Sequence, residues 1–194
     1  MQILLKNKKI QRTELLAKRR ALSLAQKREF SASITQKIMA LPEYQKAKVC
    51  FMYAAMPDEY QTRELVENAL KAGKRICLPY IADKTEKIML ATELFSWSDL
   101  IEGTYGILSL PEDKLHFIEP EALDLVIVPA VGFDKSGYRL GMGGGYYDRY
   151  LLKATNAKWV AGVYNCQIVP QIIKDEHDAQ VDIIVTEQEV IRCK

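Results

Sequence analysis

Residues 125–131, Leu-Val-Ile-Val-Pro-Ala-Val, form a nearly unbroken apolar run that leads directly into Gly132 and a glycine-rich segment. A strand that is apolar on both faces has to be covered on both faces, which is the pattern of a central strand in a parallel sheet. Shorter runs at 49–55, 75–80, 159–164 and 183–186 predict further strands, and a weaker one at 88–92 another. Helical patterns stand between them. The stretch 61–72 would bury Leu65, Val66, Ala69 and Leu70 and close on Gly73, and 146–152 predicts another helix. Alternation of this kind predicts an α/β fold, one three-layer domain over 1–194 with a mainly parallel central sheet flanked by helices. In such sheets ligands bind beyond the carboxyl ends of the strands.

The first forty residues read instead as a helical pair. Phe30, Ile34, Ile38 and Leu41 recur at helical spacing, and Ser23-Leu-Ala-Gln26 has the form of a capping box. One helix is predicted from about Lys8 to before Ser23 and a second from Leu24 to about Ala40, where Pro42 stops it.

Lys+Arg 27 against Asp+Glu 25 leaves a formal charge of +2, so no electrostatic argument favours nucleic acid or an anionic membrane as partner. Cys50, Cys77, Cys166 and Cys193 are widely spaced and lack the paired ligands of a zinc site, so they read as reduced thiols. No apolar run nears the roughly 20 residues of a membrane span, and Ile3-Leu4-Leu5 is too short for a signal-peptide core. The basic start (Lys6, Lys8, Lys9, Arg12) also suits a transit peptide. The expectation is a cytoplasmic protein, monomeric or weakly dimeric, with small-molecule partners only.

After the central run come Phe133-Asp-Lys-Ser-Gly137 and then Arg139-Leu-Gly-Met-Gly-Gly-Gly-Tyr-Tyr-Asp-Arg149. The glycines let the backbone approach a ligand closely, and successive free N–H groups form a cradle for anions. Arg139 and Arg149 offer guanidinium forks to phosphate oxygens, and Asp148 offers the hard oxygen that magnesium prefers. A P-loop is excluded because no Lys-Ser or Lys-Thr follows these glycines. A dinucleotide fingerprint is excluded because Tyr146 stands where its third glycine is needed. Composition alone leaves open a flexible surface hairpin with incidental arginines.

The run 139–149, with 133–137 before it, resembles the signature of the 5-formyltetrahydrofolate cyclo-ligase family, also called 5,10-methenyltetrahydrofolate synthetases. Lys8 and Arg12 match a lysine and an arginine of that family's first helix. The stretches 43–46 and 56–59, Ala72 to Arg75, and His177-Asp178 follow in the family's order, so the resemblance covers nearly the whole chain.

The resemblance implies an ATP- and Mg2+-dependent enzyme. It would convert 5-formyltetrahydrofolate to 5,10-methenyltetrahydrofolate with release of ADP and phosphate. It implies ATP binding by Lys8, Lys9, Ile10, Gln11 and Arg12, and by Arg139, Leu140, Gly141, Met142, Gly143, Gly144, Gly145, Tyr146 and Tyr147. Arg12, Arg139 and Arg149 would act on the transferred group. Ala54, Met56, Glu59, Tyr105 and Tyr146 would bind folate, and Asp148 with Asp178 would hold magnesium.

Taken residue by residue, other readings stay open. Lys8 and Arg12 also fit a solvated helix face, Glu59 a helix-start acid, and Asp178 a loop cap. His177 is left off the metal. A non-catalytic nucleotide-binding protein on the same scaffold is the main rival. An isomerase or acyl-transfer enzyme working on phosphorylated sugars would need a general base near the glycines, and only Asp148 and the distant His177 offer themselves.

Overall fold

The computed structural model of the chain describes residues 2–103, 106–174 and 180–193, with side chains from residue 7 onward. Helices α1 (Gln2–Arg20) and α2 (Leu24–Ala40) form the expected pair, α1 beginning a turn and a half earlier than the basic pattern suggests. Ser23 and Gln26 make the predicted reciprocal cap: Ser23 Oγ accepts from Gln26 N at 3.2 Å and Gln26 Oε1 from Ser23 N at 3.0 Å. Pro42 does more than stop α2, because it opens a short helix α3 (Pro42–Lys46), where a proline at the first turn loses no hydrogen bond.

Strand β1 (Val49–Phe51) is followed by α4 (Arg63–Lys71), which closes on Gly73 at φ 76°, and by β2 (Arg75–Asp83). β2 outlasts its expected end at Tyr80 and turns back antiparallel into β3 (Ile88–Leu94). A small hairpin of β4 (Ile101–Glu102) and β5 (Leu108–Ser109) precedes the short edge strand β6 (Phe117–Ile118). The apolar run then divides. Its first half is β7 (Leu125–Ile127), whereas Val131 N bonds to Leu140 O at the base of a hairpin of β8 (Gly132–Asp134) and β9 (Arg139–Leu140). Helix α5 (Tyr146–Leu151), β10 (Lys158–Gly162), β11 (Ile168–Val169), β12 (Ile183–Val185) and β13 (Val190–Arg192) complete the order.

Eight strands form the main sheet in the order β13-β12-β10-β7-β1-β2-β3-β6. The central five are parallel; β13, β3 and β6 add antiparallel edges. Alternate residues of each strand serve opposite layers. Cys50, Met52, Leu125 and Ile127 pack with Ile34, Ile38, Leu65 and Val66 of α2 and α4. Phe51, Val126, Val128 and Ala161 pack with Tyr150 and Leu151 of α5. Cys50 and Cys77 lie in this interior, where burial pushes both thiols up to about 12. Among the described residues no helix is long and apolar enough to cross a membrane.

Helix α1 docks apart from these two layers, on the β8–β9 hairpin, where Leu15 joins Val131, Leu140 and Ile172. Gly132 makes the approach possible. A Cβ there would stand 2.6 Å from Leu15 Cδ1 and 2.9 Å from the Gln167 carbonyl oxygen, and the latter is backbone and cannot swing aside. Gly132→Ala is expected to lower stability by about 1–3 kcal/mol, an overpacking cost, read as a fall in thermal midpoint.

Candidate active site

The chain passes from β1 to β2 on one side of the sheet and returns to β7, β10 and β12 on the other. The connections leaving the carboxyl ends of β1 and β7 therefore diverge and leave a crevice between them. A cleft of about 570 Å³ occupies this place. Tyr53, Ala54, Met56 and Glu59 line it after β1, Pro129 and Ala130 after β7, and Gly141 to Asp148 along the glycine loop. Three further wall segments were not legible in the sequence: Pro79, Tyr80 and Ile81 of β2, Met89 of β3, and Ile107 with Ser109. The available signal was the apolar pattern running past Tyr80 to Ile81. A strand that outlasts its parallel neighbour projects beyond the carboxyl edge of the sheet.

The glycine loop is free to receive a ligand. Gly143 and Gly145 hold φ of 96° and 73°, conformations costly for other residues. Among the described residues no hydrogen bond uses the backbone N–H groups of Met142 to Gly145. Three guanidinium groups surround this backbone. Arg12 donates from Nε to Gly141 O at 2.8 Å and lies beside Gly143. Arg149 Nη1 would stand 3.2 Å from a Cβ at Gly145. Arg139, with its side chain 4% exposed, donates from Nη2 to Asp148 Oδ1, and its Nε is buried without a partner. A buried donor left unmet is costly, and this one sits at the wall of the cleft. The arrangement is that of an anion receptor.

The turn after β1 supplies the opposite charge. Glu59 Oε2 accepts from Met56 N at 3.0 Å, and Oε1 lies 3.7 Å from Arg19 Nη1. Burial outweighs both lowering influences and holds the carboxyl above its ordinary range. A raised value means the folded state binds this proton more tightly than the unfolded one. The stabilising contribution is thus complete below the ordinary glutamate pKa and is lost as pH rises through the folded value. Glu59→Gln is therefore expected to raise the thermal midpoint at neutral pH, with the gain shrinking as pH falls and vanishing below about pH 4, where the carboxyl is neutral in folded and unfolded chains alike.

Tyr146 and Tyr147 both line the cleft, but they differ in depth. Tyr147 packs on Phe51 with ring centroids 6.1 Å apart, and its hydroxyl is buried without a partner. Burial, with Glu59 nearby, pushes that phenol far above the usual tyrosine range. Lys8 lies one turn before Arg12 on the face of α1 that meets the loop. Ile10, 49% exposed, and Lys9, also exposed, do not line the cleft. Gln11 is engaged elsewhere, donating to Gln171 O at 2.8 Å and accepting from Ile173 N at 3.1 Å. Tyr105 and Asp178 lie outside the described residues.

The donor set bears on magnesium. Among the described residues no group of three or more His, Cys, Asp or Glu side chains is placed to hold a metal. Asp148, 39% exposed in the first turn of α5, is the carboxylate at the loop, with Oδ1 engaged by Arg139. That fits magnesium, which keeps several waters and takes one or two carboxylates together with phosphate oxygens.

A family model described as the 5-formyltetrahydrofolate cyclo-ligase family matches residues 5–187. The chain belongs to this family. Relatives named 5-formyltetrahydrofolate cyclo-ligase include one from Mus musculus, 33% identical over 185 residues that cover 91% of each chain. Another, from Escherichia coli (strain K12), is 30% identical over 89% of this chain and 96% of its own. An NMR structure of Aquifex aeolicus 5,10-methenyltetrahydrofolate synthetase matches with a TM-score of 0.85 and 32% identity, covering 96% of this chain and 93% of that one. The fold is thus shared over nearly the full length of both chains.

Proposed function

We propose that this protein converts 5-formyltetrahydrofolate to 5,10-methenyltetrahydrofolate, with ATP as co-substrate and release of ADP and phosphate. The observation that carries the reading is the cleft itself: a glycine loop ringed by three guanidinium groups faces a half-buried carboxylate across the switch point. The family's named activity supplies the substrate.

The N5-formyl group is an amide, whose carbon is a poor electrophile and whose oxygen is a poor leaving group. Its oxygen takes the γ-phosphoryl group as the bond to ADP breaks. N10 then adds to the activated formyl carbon and gives up its proton. The carbon–oxygen bond breaks, phosphate leaves, and the charged N5–C–N10 bridge remains. Little is asked of side chains beyond alignment and charge neutralisation. Lys8 and Arg12 approach the phosphates from α1, the loop from Gly141 to Gly145 offers its N–H groups, and Arg139 and Arg149 balance charge on the transferred group. Asp148, with Asp178, would hold magnesium, which supplies Lewis-acid neutralisation of phosphate charge. Glu59 accepts from the amino and ring N–H donors of the pterin, which Met56, Ala54, Tyr146 and Tyr105 help enclose. Tyr80, Ile81 and Met89 would form the apolar wall on this side of the bound folate.

The test is the near-ultraviolet band of the methenyl product, followed with 5-formyltetrahydrofolate in the presence and absence of Mg-ATP. A rise that requires both ATP and magnesium is expected. No rise while ATP still binds would overturn the reading in favour of a non-catalytic nucleotide binder.

A further inference from the structure

Helix α1 touches two of the elements that line the cleft, the glycine loop and the turn after β1. Its third turn carries Arg12 to the glycine loop, with Lys8 one turn earlier on the same face, and two turns later that face presents Arg19. Arg19 is 2% exposed. It donates from Nε at 3.2 Å and Nη2 at 2.9 Å to Asp58 Oδ2, while Nη1 stands 3.7 Å from Glu59 Oε1. The two acids are not equally dependent on it. Asp58 has a second cation, Arg20, at 3.5 Å, whereas among the described residues Glu59 has no other cation within 4.0 Å. The turn is braced from below as well. Gln61 Nε2 donates to Met56 O and Glu59 O at 2.9 and 2.7 Å, and the Tyr164 hydroxyl donates to Glu59 O at 2.7 Å. The backbone of the turn is therefore held independently of Arg19, while the Glu59 carboxylate is held by Met56 N on Oε2 and, among the described residues, has Arg19 as its one cation, on the Oε1 side.

We infer that Arg19 is a positioning residue for the folate: it fixes the Glu59 carboxylate in the cleft and joins the phosphate-binding helix to the pterin-binding turn, so that occupancy of either site favours the other. This rests on the function proposed above. A guanidinium is suited to the task because its planar fork spans two carboxylates at once, which a lysine ammonium does not do. Coupling through a shared rigid element is reciprocal, so nucleotide should tighten folate by the factor that folate tightens nucleotide.

The groups facing Glu59 are Arg19, Asp58, Tyr53 and Tyr147. Burial raises both phenols, which stay neutral through the acid range, and Arg19 holds Asp58 ionised by lowering its carboxyl against burial. The charge felt by Glu59 is thus set by Arg19 against Asp58. Removing the Arg19 charge raises the Glu59 carboxyl further and moves the acid limb of kcat/KM for folate to higher pH.

The experiment compares the full-length wild type with Arg19→Met and Arg19→Lys. In Arg19→Met the KM for 5-formyltetrahydrofolate is expected to rise about 10- to 100-fold, with the KM for ATP much less affected. Its acid limb moves up in pH. The tightening of folate by a non-hydrolysable Mg-ATP analogue, about fivefold or more in the wild type, falls to none. Arg19→Lys keeps the charge without the fork, so its acid limb stays in place while the folate KM rises and the coupling weakens. If Arg19→Met does not fold, the lysine variant alone decides: wild-type folate KM and coupling there would overturn the inference. Equal rises in both KM values with an unmoved acid limb would mark a general structural role and also overturn it. A wild type that turns over normally beside unaffected variants removes the inference and leaves the proposed function standing. A wild type that does not convert 5-formyltetrahydrofolate removes both.

Discussion

Arg139→Met is expected to lower kcat by about 10²- to 10³-fold while leaving the binding of 5-formyltetrahydrofolate nearly intact. The reason lies in what the side chain lacks. Its guanidinium is buried, one nitrogen is bonded to Asp148, and Nε has no partner. Such a donor costs about 1–3 kcal/mol while unmet, and a site keeps it when a ligand meets it during the reaction. In phosphoryl transfer the charge to be met spreads over the equatorial oxygens, and Arg139 stands next to Gly141 in the loop proposed to receive them. The arginine is also rigidly based, since Phe133 pairs with Arg139 across the β8–β9 hairpin. Methionine refills most of the stem volume, and the released Asp148 is exposed enough to hydrate. The thermal midpoint should therefore move far less than kcat. Arg139→Lys should recover only a small part of the rate, because a point charge does not reproduce the fork. Steady-state kinetics with thermal melts of both variants check this, and wild-type kcat in the methionine variant would take Arg139 out of the chemistry.

What the sequence disclosed follows the range of the interactions concerned. The cap at Ser23, the stop at Gly73 and the parallel strands around Leu125–Ile127 are local patterns, and each is found in the structure. The glycine loop announced itself through backbone chemistry that only glycine permits, and the structure places Arg12, Arg139 and Arg149 around it. Partnerships between distant residues left no such trace. Arg19 finds Asp58 and Glu59 some forty residues away, and nothing in helix periodicity separates it from the solvated arginine beside it. Gln11 sits among the basic residues assigned to phosphate, yet its amide clamps the backbone at Gln171 and Ile173. The antiparallel edges β6 and β13 are two or three residues long, too short for any alternation to be read. The apolar run at 125–131 read as one strand, because apolarity reports burial and not where the ladder ends. Val131 is as buried as Val126 although it already belongs to the hairpin side.

Asp148→Asn is expected to reduce turnover about 10²-fold at fixed magnesium, and for two separable reasons. One is loss of the anionic oxygen that magnesium takes in the proposed site. The other is structural: the carboxylate is the partner of buried Arg139, so the amide leaves a guanidinium with a weaker acceptor, at a cost of about 1–3 kcal/mol in stability. A magnesium titration divides them. If Asp148 is a metal ligand, the magnesium concentration for half-maximal rate rises and excess metal restores part of the activity. If it acts only by holding Arg139, the midpoint of the titration stays where it is. The rate stays low at every concentration, and the variant resembles Arg139→Met. Folate affinity serves as the control, because Glu59 and the turn that carries it are held by Arg19, Gln61 and Tyr164 and make no bond to Asp148. Turnover and magnesium dependence equal to the wild type would remove Asp148 from both roles and shift the metal to oxygens supplied by the nucleotide.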